Sequence, residues 1–250
     1  MAVVFSANLG FLWKDRPFLE RIAAARSADF TMVEFHDDAQ DHSVEDLKAA
    51  LGGLPIAGLN VRHRDSNGLA ALPGREEDAA RDIAEAAERA KALGASAVHV
   101  MSGRTGDAGG AQRLTARLKD ASAAHPDLTF LIEPICPQAV PGYFLTTVEQ
   151  GADIIAAVAA PNVKIMFDCF HVQRAGGDIL ARYQTHKELV GHIQIAGGHS
   201  RAEPDRGEIN YPWLIPALQD AGYGGAFGAE YTPTTTVEAG LSWRDAFVAT

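Results

Sequence analysis

Acidic or amide side chains stand at or near the ends of four successive strand-like segments in the second half of the chain. The segments are LTFLIEP, NVKIMFD, HIQIA and GGAFGAE, and the side chains are Glu133, Asp168, Gln194 and Glu230. Because the carboxyl ends of parallel barrel strands open on one side, these groups should converge there. Three carboxylates and one amide oxygen are hard ligands that suit Mg²⁺ or Mn²⁺. A ligand set with an amide oxygen and no histidine or cysteine makes Zn²⁺ a less favoured alternative.

Each of these side chains taken alone has an ordinary explanation. A glutamate at a strand end is often a loop residue or a partner in an ion pair. Four such residues in order are harder to explain that way, because burying like charges without a cation costs several kcal/mol. The sequence therefore predicts that the four side chains share one divalent metal ion.

The segment 190–211, VGHIQIAGGHSRAEPDRGEINY, carries most of the remaining polar chemistry. It predicts a strand over 190–195 with His192 and Gln194 on one face, so His192 should lie one layer deeper in a supporting role. The strand then breaks at Gly197 into a charged loop, which is typical of a barrel strand opening into an active site. That loop carries His199, Arg201, Glu203 and Glu208.

The whole chain reads as alternating strands and helices with a period of about 31 residues, the repeat of one strand–helix unit. Strands are predicted at 2–8, 30–35, 56–61, 97–101, 128–133, 163–168, 190–195 and 226–230. Helices are predicted at 17–26, at 43–51 with Ser43 as cap, from Pro73-Gly74 to a C-cap at Gly94, and at 111–124, 147–159, 178–187, 211–221 and 237–248.

Eight such units predict an α/β fold in which residues 1–250 form one (β/α)8 TIM barrel. The strands are apolar on both faces, as buried parallel strands are. An open doubly wound sheet is the competing architecture. It would show a glycine-rich phosphate loop after the first strand, and SANLGFLWKD is not one.

Composition excludes several classes of function. The net charge is −10 and no basic run is present, which disfavours a nucleic-acid partner. No segment approaches the ~18 apolar residues of a membrane span, and the first residues lack the basic region of a signal peptide. Two cysteines give no disulfide framework, so a reduced, cytoplasmic protein is expected.

Several motifs resemble those of one family. IEPI at 132–135, FDCFHVQR at 167–174, the 191–211 segment and GAEYTP at 228–233 resemble hydroxypyruvate isomerase and its relatives, among them the 2-oxo-tetronate isomerases. These enzymes belong to the xylose-isomerase-like TIM barrels. FSANL at 5–9 and LPGREE at 72–77 extend the resemblance over essentially the whole chain.

The resemblance implies roles for particular residues. It implies that Glu133, Asp168, Gln194 and Glu230 hold the metal and that Glu133 and Glu230 are also the catalytic proton-transfer pair. It further implies that His171, Arg201 and Glu203 surround the substrate. Arg201 could bind a substrate carboxylate bidentately, or pair on the surface with Glu203 or Asp205. His171 could donate to substrate, support the metal ligands, or be an ordinary buried histidine.

Two loops depart from the family pattern. The chain carries VEFHDDAQD at 33–41 where relatives often have apolar or aromatic residues, and VRHRDSNGLAALPG after the third strand is short. Both loops should cover the substrate, so they put its identity in doubt. His36, His63 and His99, together with the weaker candidates Asn8 and Asn60, either line the opening or form only its polar rim.

Two glutamates beside one metal suit isomerisation by proton transfer. A proton next to a carbonyl leaves readily only when the developing enediolate is stabilised. A metal ion that acts as a Lewis acid supplies this stabilisation. One glutamate then removes a proton and the other returns one to the neighbouring carbon. The predicted activity is metal-dependent interconversion of hydroxypyruvate and tartronate semialdehyde through a cis-enediolate.

Other functions remain to be weighed against this prediction. A 2-oxo-tetronate isomerase would share the fold, metal and bases and differ in substrate length. A ketose 3-epimerase would need a larger, neutral mouth. An inactive sugar-acid binding protein would have no use for two bases, and a DNA-repair nuclease would need a basic groove. The expected partner is a small keto acid, with neither nucleic acid nor membrane, and assembly into a homo-oligomer is left open.

Overall fold

The computed structural model describes residues 3–247 and forms a closed barrel of eight parallel strands in chain order. The last strand pairs with the first, which closes the barrel and confirms the predicted architecture. The strands are β1 (Phe5–Asn8), β2 (Met32–Phe35), β3 (Ile56–Asn60), β4 (Ala97–His99), β5 (Thr129–Ile132), β6 (Val163–Asp168), β7 (Val190–Ile195) and β8 (Phe227–Ala229).

Helices follow the strands around the outside of the barrel. They are α1 (Phe18–Ser27), α2 (Val44–Leu51), α3 (Glu76–Leu93), α4 (Gly110–Ala124), α5 (Val148–Val158), α6 (Cys169–Ala175), α7 (Ile179–His186), α8 (Tyr211–Asp220) and α9 (Val237–Gly240). Short 3₁₀ helices cover Asp37–Asp41, Lys187–Leu189 and Leu241–Phe247. Within residues 3–247, no helix has both the length and the apolar character needed to cross a membrane.

Local sequence signals set several helix ends. The Ser43 hydroxyl accepts the Asp46 N–H at 3.0 Å and so caps α2, as predicted. Thr147 caps α5 in the same way through the N–H of Gln150. Gly94 ends α3 with a φ of 71°, a left-handed conformation that a glycine adopts without steric cost.

Two helical regions differ from the sequence prediction. A single helix was expected after β6, near 178–187, but α6 begins at once after Asp168 and α7 follows it. Asp168 makes this possible because its carboxylate caps α6, accepting the Phe170 N–H at 2.7 Å. The helix predicted at 237–248 ends at Gly240 and continues as a 3₁₀ turn. Residue 248 and the first predicted strand residue, Ala2, lie outside the described residues.

Alternation along the strands separates two environments. Outward side chains such as Val98, Phe130 and Phe167 pack beneath the helices in the main hydrophobic core. Inward side chains at the amino-terminal end of the barrel form a separate small cluster of Ala97, Leu131 and Met166. The next inward positions along these three strands are His99, Glu133 and Asp168. The barrel interior therefore changes from apolar at its floor to charged at its carboxyl end.

Candidate active site at the carboxyl ends of the strands

The four predicted metal ligands all lie at the barrel mouth, the opening at the carboxyl ends of the strands. Glu133 follows β5 directly, Asp168 ends β6, Gln194 is the penultimate residue of β7, and Glu230 follows β8. All four are buried, with at most 5% of their surface exposed. Asp168 and Gln194 stand level with each other in the pairing of β6 with β7. The strand ends thus bring these side chains to the same end of the barrel.

His171 lies among the carboxylates. Its Nε2 is 3.5 Å from Oε1 of Glu133 and 3.6 Å from Oδ2 of Asp168. One ligand atom from each of these three residues lies within 4.8 Å of the others, a spacing at which they could hold a metal ion. The α6 helix explains this placement, because it begins at Asp168 and turns His171 back over the mouth.

Arg201 reaches the same place from the loop after β7. Its Nη2 donates to Oδ2 of Asp168 at 3.0 Å and also contacts Oε2 of Glu230. The guanidinium lies 4.6 Å from the ring centre of Phe11 and 5.1 Å from that of Phe170. The predicted alternative of a surface arginine paired with Glu203 or Asp205 therefore does not describe its position.

Burial and charge give the two predicted bases opposite protonation preferences. Burial raises the pKa of Glu133 well above its usual range, and the negative charges of Glu230 and Asp168 raise it further. Burial also raises the pKa of Asp168, to about 7, although Arg201 opposes the change. For Glu230, burial acts in the same direction, but the Arg201 guanidinium together with His36 and His171 outweighs it and lowers the pKa to about 2.

The donor set fits a divalent cation. Oε1 of Glu133 and Oε1 of Gln194 are buried and have no hydrogen-bond partner among residues 3–247. Buried polar atoms normally have a partner, and two such oxygens at one opening could serve as ligands to a cation. Four carboxylates are buried here, those of Glu133, Asp168, Glu230 and the deeper Glu34. The Arg201 guanidinium pairs with Asp168 and Glu230, and the His192 imidazole pairs with Glu34. A divalent ion would balance most of the remaining negative charge.

Glu34 is a buried carboxylate that the sequence analysis did not single out. It lies inside the barrel on β2, where its Oε2 accepts a hydrogen bond from Nε2 of Gln194 at 2.9 Å. Its Oε1 is 2.9 Å from Nε2 of His192, which places His192 one layer below the metal-ligand candidates, as predicted. The sequence feature that could have identified Glu34 is its position inside the apolar run MVEF. Side chains alternate in direction along a strand, and this alternation points Glu34 into the barrel.

Polar residues of the first three strands line the opposite side of the mouth. His36 Nε2 lies 3.2 Å from Oε1 of Glu230, and Asn8 Nδ2 donates to the same oxygen at 3.0 Å. The rings of His36 and His63 are 4.8 Å apart, and His63 Nε2 lies 3.0 Å from Nδ2 of Asn60. Asn8 and His36 thus contact the site directly, and His63 and Asn60 lie beside them.

His99 completes this lining from β4. Its Nε2 is buried 3.7 Å from Oε2 of Glu133. Burial lowers the pKa of His99 to about 3, so the ring is neutral at physiological pH. It can therefore offer a hydrogen bond at the mouth without adding charge.

Glu203 and Cys169 lie in different surroundings from the residues that line the mouth. The Glu203 carboxylate accepts from the backbone N–H and the hydroxyl of Thr234, and it pairs with Arg206 at 3.3 Å. It thereby joins the loop after β7 to the loop after β8. Cys169 is buried, and burial raises the pKa of its thiol well above the usual value, which does not suit a nucleophile.

Comparisons with known proteins agree with the fold. A family model described as a xylose isomerase-like TIM barrel matches residues 22–247. A 2-oxo-tetronate isomerase from Cupriavidus necator is 40% identical, and the match covers 96% of each chain. A hydroxypyruvate isomerase from Escherichia coli is 35% identical over 97% of this chain and 98% of its own. A solved structure from Brucella melitensis, named AP endonuclease, family 2, has a TM-score of 0.93 and 31% identity, with 99% of each chain covered.

Proposed function

Because this chain belongs to the xylose isomerase-like TIM barrel family, in its group of hydroxypyruvate and 2-oxo-tetronate isomerases, we propose that it is a metal-dependent isomerase of short 2-oxo acids. The observation that carries the proposal is the convergence of Glu133, Asp168, Gln194 and Glu230 at one buried opening. Two of their oxygens have no hydrogen-bond partner within residues 3–247. A binding protein without catalysis would have no need for two glutamates in this position.

The metal is proposed to be Mg²⁺ or Mn²⁺, with Zn²⁺ less favoured, held by Glu133, Asp168, Gln194 and Glu230. Carboxylate and amide oxygens are the ligands that the harder ions prefer. When bound, such an ion would stabilise the negative charge that develops on substrate oxygens during enolisation.

Proton transfer is assigned to the two glutamates. Glu230 is the base that removes the proton from C3 of hydroxypyruvate, because its low pKa keeps it ionised. Asn8 and His36 fix its Oε1, so its orientation is set before substrate binds. Glu133 is proposed to return a proton, exchanged with solvent, to C2 of the enediolate. A separate group at each of the two carbons is the arrangement that paired acid–base transfer uses.

Arg201 is proposed to bind the substrate carboxylate. It is the guanidinium that reaches the carboxylates at the mouth, and the rings of Phe11 and Phe170 hold it there. A planar guanidinium can pair bidentately with a carboxylate, which a neutral sugar does not offer. His171, with its Nε2 3.1 Å from Nη1 of Arg201, is proposed to contact the substrate beside it. Glu203 is proposed to shape the mouth by holding its loop.

The preferred substrate is hydroxypyruvate, which would be interconverted with tartronate semialdehyde. A 2-oxo-tetronate substrate is the second candidate, and the relative of that name at 40% identity favours it. A D-psicose 3-epimerase structure at 20% identity shows the fold alone. The name of the Brucella structure concerns that protein; for this chain, a net charge of −10 disfavours a nuclease because duplex phosphates require clustered basic residues.

The experiment compares initial rates on hydroxypyruvate, 2-oxo-tetronate and D-psicose with Mg²⁺ or Mn²⁺, and again after treatment with EDTA. The proposal expects one of the two keto acids to be the best substrate by kcat/KM and expects EDTA to abolish turnover. A clear preference for the ketose would select the epimerase reading. Metal-bound protein that turns over none of the three would select the binding-protein reading.

A further inference from the structure

Glu34 occupies the barrel interior one layer below the proposed metal ligands. It is 3% exposed and lies on β2, far along the chain from the groups it meets. Burying a carboxylate at this depth is costly unless donors surround it. The structure supplies donors on both carboxylate oxygens, so Glu34 is part of a built arrangement.

The two oxygens of Glu34 accept from different partners. Oε1 accepts from the hydroxyl of Ser6 and from Nε2 of His192, the latter at 2.9 Å. Oε2 accepts from Nε2 of Gln194 at 2.9 Å and lies 3.4 Å from Nδ2 of Asn8. Ser6 and His192 thus hold one side of the carboxylate and leave the other side facing the Gln194 amide.

The backbone of β8 makes room for this carboxylate. A Cβ added at Gly228 would lie 2.2 Å from Oε1 of Glu34 and 2.9 Å from Cγ of Gln194. Real side chains do not tolerate contacts this short, so the absence of a side chain at Gly228 allows Glu34 and Gln194 to meet.

A carboxylate can only accept hydrogen bonds, so it determines which way the Gln194 amide points. The amide NH₂ must face Glu34, and Oε1 is then directed away from it. That oxygen is buried and has no partner among residues 3–247. An amide binds a hard cation through its oxygen and not through its nitrogen, so the orientation set from below is the one that a metal ligand needs.

We propose that Glu34 is a positioning residue that fixes the Gln194 amide with its oxygen toward the metal site, and that Gly228 is the glycine that admits it. The inference rests on the proposed metal site and assigns a role to a residue outside the ligand set. This role explains how a neutral glutamine can act as a metal ligand, because Glu34, in addition to the ion, orients the amide.

The test measures Mn²⁺ affinity of metal-stripped protein from the electron paramagnetic resonance signal of free Mn²⁺. Glu34→Met keeps the side-chain length and removes the acceptor, and Mn²⁺ affinity should fall about 10- to 100-fold, as for other supports of metal ligands. Glu34→Gln can keep an oxygen toward Gln194, because Ser6 and His192 can both accept from its NH₂. Its affinity should stay within about threefold of the unmodified protein.

A second background separates orientation from general damage. In the Gln194→Glu variant, the carboxylate of residue 194 presents an oxygen to the metal site in either orientation. It therefore does not need Glu34 to orient it. There Glu34→Met should leave Mn²⁺ affinity unchanged or raise it, because it also removes an adjacent negative charge. Asp82→Asn is the matched control. Asp82 is a buried carboxylate on α3 that pairs with Arg64, and its loss should not change Mn²⁺ affinity.

Side-chain NMR of the unmodified protein gives a test that needs no variant. The Gln194 NH₂ protons should exchange slowly with solvent both with and without Mg²⁺, and the carbonyl carbon of its amide should shift when Mg²⁺ binds. The inference is overturned if those protons exchange freely, or if Glu34→Met weakens Mn²⁺ binding equally in both backgrounds or in neither. Failure of the unmodified protein to bind Mn²⁺ would instead reject the proposed metal site.

Discussion

Nη2 of Arg201 lies 3.0 Å from Oδ2 of Asp168, so a guanidinium from the loop after β7 meets a carboxylate at the end of β6. The opposite oxygen of Asp168 caps α6 by accepting the Phe170 N–H. Asp168 is therefore fixed by its own helix and can present one oxygen to the mouth. This arrangement places a positive side chain that could receive a substrate carboxylate next to the groups proposed to hold the metal.

Removing either proposed base should abolish isomerisation while leaving the fold intact. Glu133→Gln and Glu230→Gln should each lower kcat on hydroxypyruvate by about 10²- to 10⁴-fold, the usual contribution of a positioned acid or base. Steady-state kinetics with saturating Mg²⁺ or Mn²⁺ measure this. Glu45→Gln, at an exposed position on α2, is the matched control and should retain full activity. Wild-type rates in either base variant would refute the assignment.

Arg201 should contribute mainly to binding of the substrate carboxylate. Arg201→Lys keeps the charge but loses the bidentate geometry, so KM for hydroxypyruvate should rise about 10- to 100-fold with a smaller change in kcat. Arg206→Lys on the same loop is the control, because Arg206 is 61% exposed and pairs with Glu203. An unchanged KM in Arg201→Lys, or an equal rise in Arg206→Lys, would count against this role.

Gly228→Ala should destabilise the protein because its Cβ would meet the Glu34 carboxylate. Forcing an extra methyl into a packed interior typically costs about 1–3 kcal/mol in the free energy of unfolding. Urea unfolding monitored by circular dichroism measures the change. Gly224→Ala is the nearby control, since a Cβ there has no atom within 4 Å in the part of the chain that the structure describes. Equal stability of the two variants would show that β8 can accommodate the side chain.

Metal-free protein should lose stability as pH rises toward neutrality, and metal should restore it. Burial raises the folded pKa of Asp168 from 3.8 to about 7. The protonated carboxyl favours folding at low pH, and this contribution is lost as pH rises through the folded value. Added Mg²⁺ should therefore raise Tm more at about pH 8 than at about pH 5.5, because protons compete with the ion for the carboxylates.

The matched variant for this pH dependence is Asp168→Asn. It carries no titrating carboxyl, so the difference in the Mg²⁺ effect between the two pH values should shrink. Differential scanning calorimetry with Mg²⁺ or with EDTA gives the comparison. An equal Mg²⁺ effect on Tm at both pH values in the unmodified protein would contradict the prediction.

The sequence was sufficient to predict the barrel and the strand-end groups, for a physical reason. Strand order in a TIM barrel follows chain order, so a polar residue that ends a buried strand must face the mouth. Asp168 and Gln194 could be placed together on this basis, and the pairing of β6 with β7 has them level.

Contacts across the barrel interior could not be read from the sequence in the same way. Glu34 and His192 are 158 positions apart, and their meeting depends on strand tilt and on the space left by Gly228. The α6 helix was missed because Asp168 serves both as strand end and as helix cap, which leaves no loop residues to mark a boundary.

The most direct test of the central claim is proton NMR of the protein in D₂O with hydroxypyruvate and Mg²⁺ or Mn²⁺. Proton transfer by the two glutamates should give metal-dependent incorporation of deuterium at C3 together with formation of tartronate semialdehyde. Both should be lost with EDTA, and Glu133→Gln should abolish formation of tartronate semialdehyde, because two glutamates that exchange protons with solvent carry the transfer. Isomerisation with full retention of substrate hydrogen would contradict this mechanism, since the same hydrogen would then move between the carbons, by hydride transfer or on one shielded base, and not through two glutamates that exchange with solvent.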